Sequence, residues 1–203
     1  MKGSIVFVIT GPSGSGKSTL VKLLLNSIPD IYFTVSHTTR ESRPNELNGT
    51  DYYFVSEEKF KKMINQEKFL EWAIVHGNYY GTSHSEINRG IKKGIDLLLD
   101  LDIQGAMNIR KKLKNCVFIF VVPPSINEIK KRIILRGTED ESEIGKRLKN
   151  AKNEIKKWKS FEYIVINDSL KRAVYELQSI INAERAKRFR REEKIKELFL
   201  NFY

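Results

Sequence analysis

The chain has 203 residues, of which 40% are hydrophobic and 30% charged, and it carries a formal net charge of +11. No apolar run approaches the roughly 20 residues of a membrane-spanning helix, and the first residues lack the pattern of a secretory signal, so we expect no membrane partner. The excess of positive charge suits a polyanion such as nucleotide phosphates, but no recognised nucleic-acid-binding motif accompanies it, so we expect no nucleic acid.

The first third of the chain predicts two strands, a helix and an inserted subdomain. Residues 4–10 are rich in β-branched side chains and alternate little, which is typical of a strand buried on both faces. A glycine-serine turn follows, then a predicted helix over residues 17–26 and a strand over residues 31–35. From Ser36 to about Arg89, short aromatic runs and turn-rich pieces predict an insertion with antiparallel strands.

The rest of the chain alternates strands and helices. The predicted strands are residues 95–102, 117–122 and 163–166, and the predicted helices are residues 104–113, 126–135, 143–159 and a long one from Leu170. Such alternation predicts a parallel, doubly wound sheet, so we expect an α/β fold.

A phosphate-binding loop is predicted after the first strand, where the sequence fits G-x-x-x-x-G-K-[ST] and opens a helix. Its glycines let backbone N–H groups face inward, and the helix N-terminus adds partial positive charge. A plain flexible turn would not explain Lys17 and Ser18 at the start of an amphipathic helix. We expect Lys17 to reach the β- and γ-phosphates and Ser18 to offer its hydroxyl to Mg²⁺. The predicted nucleotide-binding residues are Gly11, Pro12, Ser13, Gly14, Ser15, Gly16, Lys17, Ser18 and Thr19.

A second anion site is predicted where Arg40 and Arg43 lie three residues apart among hydroxyl side chains. Arginine forks bind phosphate oxygens in pairs, and nearby tyrosine hydroxyls can donate to the remaining oxygens. Three further polar segments follow, at Glu71, at residues 77–83 and at Asp100 with Asp102.

In order and spacing these segments resemble the guanylate kinase family, from the phosphate-binding loop to about Glu184. The most specific parts are S-x-T-T-R-x-x-R…G-x-x-Y-x-F and G-N-Y-Y-G-[ST]. The resemblance implies an enzyme that moves the γ-phosphoryl group of ATP to GMP or dGMP with the help of Mg²⁺. It also implies a P-loop NTPase-type parallel sheet flanked by helices, with an inserted mixed α/β GMP-binding subdomain and a helical lid.

The resemblance assigns the acceptor phosphate to Arg40, Arg43, Tyr52 and Tyr80, and the guanine to Ser36, Glu71, Thr82 and Asp102. The chemistry of guanine agrees, because carboxylates accept from its N1–H and N2–H₂ donors and hydroxyls donate to its O6. Adenine would leave such carboxylates unpaired, a mismatch that can discriminate by roughly 10⁴–10⁵. From the residues alone, Glu71 could instead be an exposed edge charge.

Asp100 and Asp102 lie two apart at the C-terminal end of a predicted strand, so they share one face. In open α/β sheets, ligands gather at that end. The resemblance makes Asp100 an aspartate near Mg²⁺, in contact with the ion directly or through water. A buried helix cap stays open as the alternative for either aspartate.

For the lid, the resemblance implies that Arg132, Arg136 and Arg147 reach across the triphosphate, where arginines neutralise the moving phosphoryl group. Solvated surface charges are the alternative. Asn167 and Asp168 match a segment near the adenine, although such a pair also forms turns. No general base is required, because the GMP phosphate oxygen is already anionic near neutral pH; the task is positioning and charge neutralisation.

We expect a single domain over residues 1–203. Residues 1–35, 91–135 and 160–190 form the core, 36–90 the GMP-binding insertion, 136–159 the lid and 191–203 a C-terminal tail. The single cysteine, Cys116, favours a cytoplasmic protein, and both a monomer and a homodimer stay open. Two alternative functions stay open. The first is a related non-catalytic module that binds phosphoproteins, and the retained Lys17 argues against it. The second is a kinase for another phosphorylated acceptor, and the pairing of Glu71 with Asp102 argues against that.

Overall fold

The structure of the chain is a computed structural model that describes residues 4–135 and 141–199, without the side chains of residues 141–143. Its strands are β1 (Val6–Thr10), β2 (Ile31–Phe33), β3 (His37–Thr38), β4 (Tyr53–Phe54), β5 (Phe69–Val75), β6 (Asn78–Ser83), β7 (Asp96–Asp100), β8 (Cys116–Val122) and β9 (Tyr163–Ile166). Its helices are α1 (Lys17–Leu25), α2 (Glu57–Asn65), α3 (His84–Lys92), α4 (Ile103–Lys112), α5 (Ile126–Leu135), α6 (Glu141–Ile155), α7 (Leu170–Ala186) and α8 (Arg188–Leu198).

The core is a five-stranded parallel sheet in the order β2-β7-β1-β8-β9. All five residues of β1 are buried, because helices cover both faces of the sheet. One face packs on α1 and α7 through residues such as Leu24 and Leu177, and the other packs on α4 through Ala106 and Ile109. This arrangement confirms the predicted α/β fold with a parallel sheet flanked by helices.

A second, four-stranded sheet has the order β4-β3-β6-β5 and lies within the predicted insertion. The pairs β3–β6 and β5–β6 are antiparallel as predicted, whereas β3 and β4 run parallel, so the sheet is mixed. The physical reason is the long connection over residues 39–52. A connection of about a dozen residues or more can return the chain to the starting end of a strand, which a tight hairpin cannot do.

Two predicted helices have different bounds in the structure. The charged helix begins earlier, at Glu141, and its last turn is a separate 3₁₀ helix, Lys156–Ser160. The long C-terminal helix is interrupted at Lys187, whose extended backbone (φ −55°, ψ 134°) separates α7 from α8. Among the described helices, none is both long and apolar enough to cross a membrane.

Candidate active site

A cavity of about 540 Å³ lies where the loops after β1 and β7 meet the second sheet and α6. The predicted site residues on its wall are Gly11, Pro12, Ser13, Gly14, Ser15, Gly16, Lys17, Ser18, Ser36, Arg40, Arg43, Tyr52, Glu71, Tyr80, Asp100, Asp102 and Arg147. The wall does not include Thr19, Thr82, Arg132, Asn167 or Asp168. Arg136, the remaining predicted residue, lies outside the described residues.

The phosphate-binding loop presents an open helix end to the cavity. Gly16 precedes α1 with a left-handed backbone (φ 84°), and as the N-cap residue it has no side chain to bond the first N–H groups of the helix. An N-terminus of this kind is suited to an anion. Lys17 lies across the loop, with its Nζ 3.3 Å from the Gly11 carbonyl oxygen and 3.8 Å from Asp100 Oδ1.

The same loop is held from behind by two distant side chains. The carbonyl oxygen of Ser15 accepts from Asn167 Nδ2 at 2.7 Å and from Arg132 Nη1 at 3.2 Å. Arg132 also donates from Nη2 to the Asn167 carbonyl at 3.1 Å and from Nε to Glu128 at 2.8 Å. These contacts place Arg132 and Asn167 behind the loop rather than on the cavity wall, so their predicted contacts with ATP stay predictions.

Asp168, the neighbour of Asn167, is exposed and pairs with Arg172 at 3.2 Å. The two residues form a turn after β9, as the alternative interpretation from the sequence allowed.

Asp100 ends β7 beside the loop, in register with Ile9 of β1. Burial raises the pKa of this carboxyl, while the Lys17 ammonium and a hydrogen bond from the Ser18 hydroxyl lower it. The Ser18 hydroxyl and the Asp100 carboxylate together are hard oxygen donors beside a phosphate-type loop. Mg²⁺ prefers oxygen donors of this kind and usually takes one or two carboxylates plus substrate phosphates, so the two residues fit that ion.

The residues of the predicted second anion site also line the cavity. Arg40 donates from Nε to the Tyr80 hydroxyl at 3.2 Å, and its guanidinium lies 5.7 Å from the centre of the Tyr52 ring. Burial raises the pKa of the Tyr52 hydroxyl well above its ordinary value, so this group stays a proton donor. Arg43 completes this part of the wall. Glu46, which the sequence analysis missed, bonds to both arginines.

Two carboxylates of the cavity wall converge near Gly105. Glu71 on β5 is only 3% exposed, which excludes the alternative of an exposed edge charge. A Cβ atom added at Gly105 would lie 2.8 Å from Glu71 Oε2 and 3.0 Å from Asp102 Oδ1, so both carboxylates approach the same glycine. Burial raises the pKa of Glu71 to about 7, and the charge of Asp102 contributes in the same direction.

The hydroxyls predicted beside these carboxylates occupy two layers. Ser36 lines the cavity, and its Oγ lies 3.2 Å from Thr82 Oγ1. Thr82 is fully buried behind it and donates its N–H to Glu71 Oε1 at 3.0 Å. Thr82 therefore touches Glu71 and Ser36 rather than the cavity.

Asp102 is both a helix cap and part of the wall. Its carboxylate accepts from the N–H groups of Gln104 and Gly105 at 2.9 and 3.1 Å, at the start of α4. The cap alternative from the sequence is therefore correct for Asp102, and it does not remove the side chain from the cavity. A capping carboxylate keeps further lone pairs available for a ligand.

One face of α6 forms the last part of the wall. Arg147, Asn150 and Glu154 lie at helical spacing along it. Of these three, only Arg147 was predicted, although spacings of three and seven residues along the helix indicate the other two. Glu154 Oε2 accepts from the Ser13 N–H at 3.4 Å, so this helix contacts the phosphate-binding loop.

The fold and the phosphate-binding loop together define a P-loop protein of the NTPase class, in which one cavity is lined by that loop and by Arg40 and Arg43. The family model described as guanylate kinase matches residues 4–184. The chain belongs to the guanylate kinase family.

Individual relatives agree over nearly the whole chain. A guanylate kinase from Thermotoga maritima is 47% identical over 195 residues, which cover 96% of this chain and 94% of that protein. One from Caldanaerobacter subterraneus subsp. tengcongensis is 43% identical, over 98% of this chain and 95% of the relative. The solved structure of a guanylate kinase from Anaplasma phagocytophilum has a TM-score of 0.81 at 30% identity, covering 98% of this chain and 96% of that one.

Proposed function

We propose that this protein transfers the γ-phosphoryl group of ATP to GMP and so produces ADP and GDP. The observation that carries the proposal is one cavity whose wall holds the phosphate-binding loop, the Arg40–Arg43 pair and the carboxylates of Glu71 and Asp102. Family membership over residues 4–184 supports the same activity. A non-catalytic binding module is not favoured, because Lys17 and Arg147 both lie on the cavity wall.

In the proposed mechanism, the donor phosphates lie on the open N-terminus of α1, with Lys17 beside them. The acceptor phosphate is proposed to contact Arg40 and Arg43, with the protonated hydroxyl of Tyr52 as a further donor. Its oxygen is already anionic near neutral pH, so transfer needs alignment and charge neutralisation rather than a general base. Arg147 on α6, together with Arg136, is proposed to neutralise charge on the transferred group.

Guanine is proposed to lie at the end of the cavity where Glu71 and Asp102 converge. Their carboxylates accept from the N1–H and N2–H₂ donors, and the Ser36 hydroxyl donates to O6. AMP would bring a lone pair to the same carboxylates, which costs a buried polar mismatch. None of the proposed contacts involves the 2′ position of the sugar, so we extend the proposal to dGMP.

We propose Mg²⁺ as a cofactor, held by Ser18 and Asp100 together with the phosphates of ATP. When bound, the ion neutralises charge on those phosphates. A cytoplasmic location is part of the proposal, because a chain with one cysteine needs no oxidising compartment. We also keep the division into core, GMP-binding insertion (36–90), lid (136–159) and tail as a proposal.

The test is a coupled assay of ADP release with GMP, dGMP, AMP, UMP and ribose phosphates as acceptors. We expect turnover with GMP and dGMP, and very little with the others. Lys17→Ala should nearly abolish turnover and leave GMP binding intact, because Lys17 lies on the nucleotide side of the cavity. Lys130→Ala, a matched change at an exposed lysine, should not affect turnover. Turnover with AMP but none with GMP would refute the proposal.

A further inference from the structure

The carboxylate of Glu46 lies between the two arginines of the acceptor phosphate site. It accepts from Arg40 Nη2 with both oxygens, at 2.9 and 2.8 Å. It also accepts from the backbone N–H of Arg43 at 2.9 Å, and Arg43 Nη1 lies 3.6 Å from the same carboxylate. One side chain therefore fixes the guanidinium of Arg40 and the backbone of Arg43.

Glu46 acts from outside the cavity. Arg40 and Arg43 belong to the cavity wall and Glu46 does not, yet its side chain is only 15% exposed. The N–H of Glu46 donates to the Arg43 carbonyl at 3.0 Å, so residues 43–46 form a turn that closes on itself. This turn sets the distance between the carboxylate and both arginines.

The remaining donors of Arg40 show how completely its orientation is fixed. Its Nε donates to the Tyr80 hydroxyl and its Nη1 to the carbonyl oxygen of Glu41. With Glu46 on Nη2, all three nitrogens have a partner, and the planar guanidinium has one orientation. A preorganised arginine loses less conformational entropy when its ligand arrives.

We propose that Glu46 is a positioning residue for the acceptor phosphate, holding Arg40 and Arg43 so that both face the same phosphate group. This inference rests on the proposed function. Glu46 touches neither substrate in this proposal and acts only through the two arginines.

The Glu46 charge has two opposing effects on GMP binding, so the sign of the change in KM shows which effect is larger. As a negative charge beside the site, Glu46 repels the acceptor phosphate, so its neutralisation alone would tighten GMP binding. As an anchor, it orders two arginines that would otherwise repel each other and turn toward solvent. The ordering of the two arginines is the larger effect.

The deciding experiment is Glu46→Gln, which keeps the size of the side chain but removes the charge and presents an NH₂ group toward donors. We expect the KM for GMP to rise by about 10-fold to 100-fold, the scale on which misplaced positioning groups reduce activity. The KM for ATP should stay close to the wild-type value, because Glu46 bonds on the acceptor side of the cavity. A loss of the whole fold would change both.

The matched control is Glu58→Gln on α2, which removes the same charge from an exposed side chain that the proposal gives no role. We expect it to keep the wild-type KM for GMP. Thermal melting of each variant verifies folding. If Glu46→Gln does not fold, Glu46→Asp replaces it under the same criteria, because the shorter carboxylate cannot reach both arginines.

The inference is overturned if the KM for GMP in the Glu46 variant falls, or equals that of Glu58→Gln. Failure of the proposed function is a different result, because the wild-type protein would then show no ADP release with GMP at all. A wild type active on GMP with an unaffected Glu46 variant removes only the positioning role.

Discussion

Lowering the pH from 8 to 6 should weaken GMP binding through the protonation of Glu71. The side chain is 3% exposed, and burial together with the charge of Asp102 raises its pKa to about 7. Hydrogen bonds from Thr82 oppose the shift, and so does the charge of Lys112. Only the ionised carboxylate can accept from the N1–H and N2–H₂ groups of guanine with both oxygens, so the protonated form should bind GMP poorly.

The size of the effect follows from the pKa of about 7. A group with this pKa is about 91% ionised at pH 8 and about 9% ionised at pH 6. If GMP binds only the ionised form, its KM should rise about 10-fold over this range, which corresponds to about 1.4 kcal/mol. The phosphate of GMP also titrates, with a second pKa of about 6, and this alone would account for about a two-fold change at pH 6.

The measurement is the KM for GMP at saturating ATP between pH 6 and pH 8, in the wild type and in Glu71→Gln. The glutamine has the same size and does not titrate, so its pH trend should shrink to the two-fold change due to the phosphate. Its KM should be higher than that of the wild type at pH 8, because an amide offers only one acceptor oxygen. Parallel pH trends in the two proteins would refute the reasoning.

Two further changes test the carboxylates near Gly105 and the support behind the phosphate-binding loop. Gly105→Ala would place a Cβ atom 2.8 Å from Glu71 Oε2 and 3.0 Å from Asp102 Oδ1, so the KM for GMP should rise by about 10-fold or more, since overpacking costs about 1–3 kcal/mol. An unchanged KM for GMP in the folded variant would contradict this. Asn167→Ala removes the 2.7 Å bond to the Ser15 carbonyl, and losing a buried hydrogen bond costs about 1–3 kcal/mol. A thermal melt should show a Tm lower by roughly 2–10 °C. The KM for ATP should rise more than the KM for GMP. A larger rise in the KM for GMP would contradict a role of Asn167 in supporting the loop.

Parts of the fold were predictable because their causes are local in the sequence. The bounds of α5 and β9 match the predicted segments, since Pro123 and Pro124 precede the helix and a short apolar run defines the strand. The phosphate-binding loop is equally local, because one short motif specifies both its glycine backbone and the helix that follows.

The helix α3 was missed although a local pattern was present. Ser83 and Glu86 have the spacing of a capping box, and the Ser83 hydroxyl accepts from the Glu86 N–H at 3.3 Å. The strand β3 could not be found in the same way, because two residues are too few to show a period of two.

The supports of the site could not be predicted, because they join residues that are distant in sequence. The bonds to the Ser15 carbonyl come from Arg132 and Asn167, which are 117 and 152 positions away. The convergence of Glu71 and Asp102 depends on how β5 packs on α4. Glu46 is close to Arg43 in sequence, but its bonds to Arg40 depend on the conformation of the turn over residues 43–46, which the spacing alone does not specify.

The two carboxylates proposed to bind guanine belong to different parts of the molecule. Glu71 lies on β5 of the second sheet, and Asp102 caps α4, which packs on the core sheet. A guanine held by both must therefore bridge the second sheet and the core. Because Arg40 and Arg43 lie in the connection between β3 and β4 of the same sheet as Glu71, this bridge would also fix the acceptor phosphate relative to the nucleotide loop. A base without the two donors of guanine cannot make the bridge, so it should lose correct placement of its phosphate as well as binding energy.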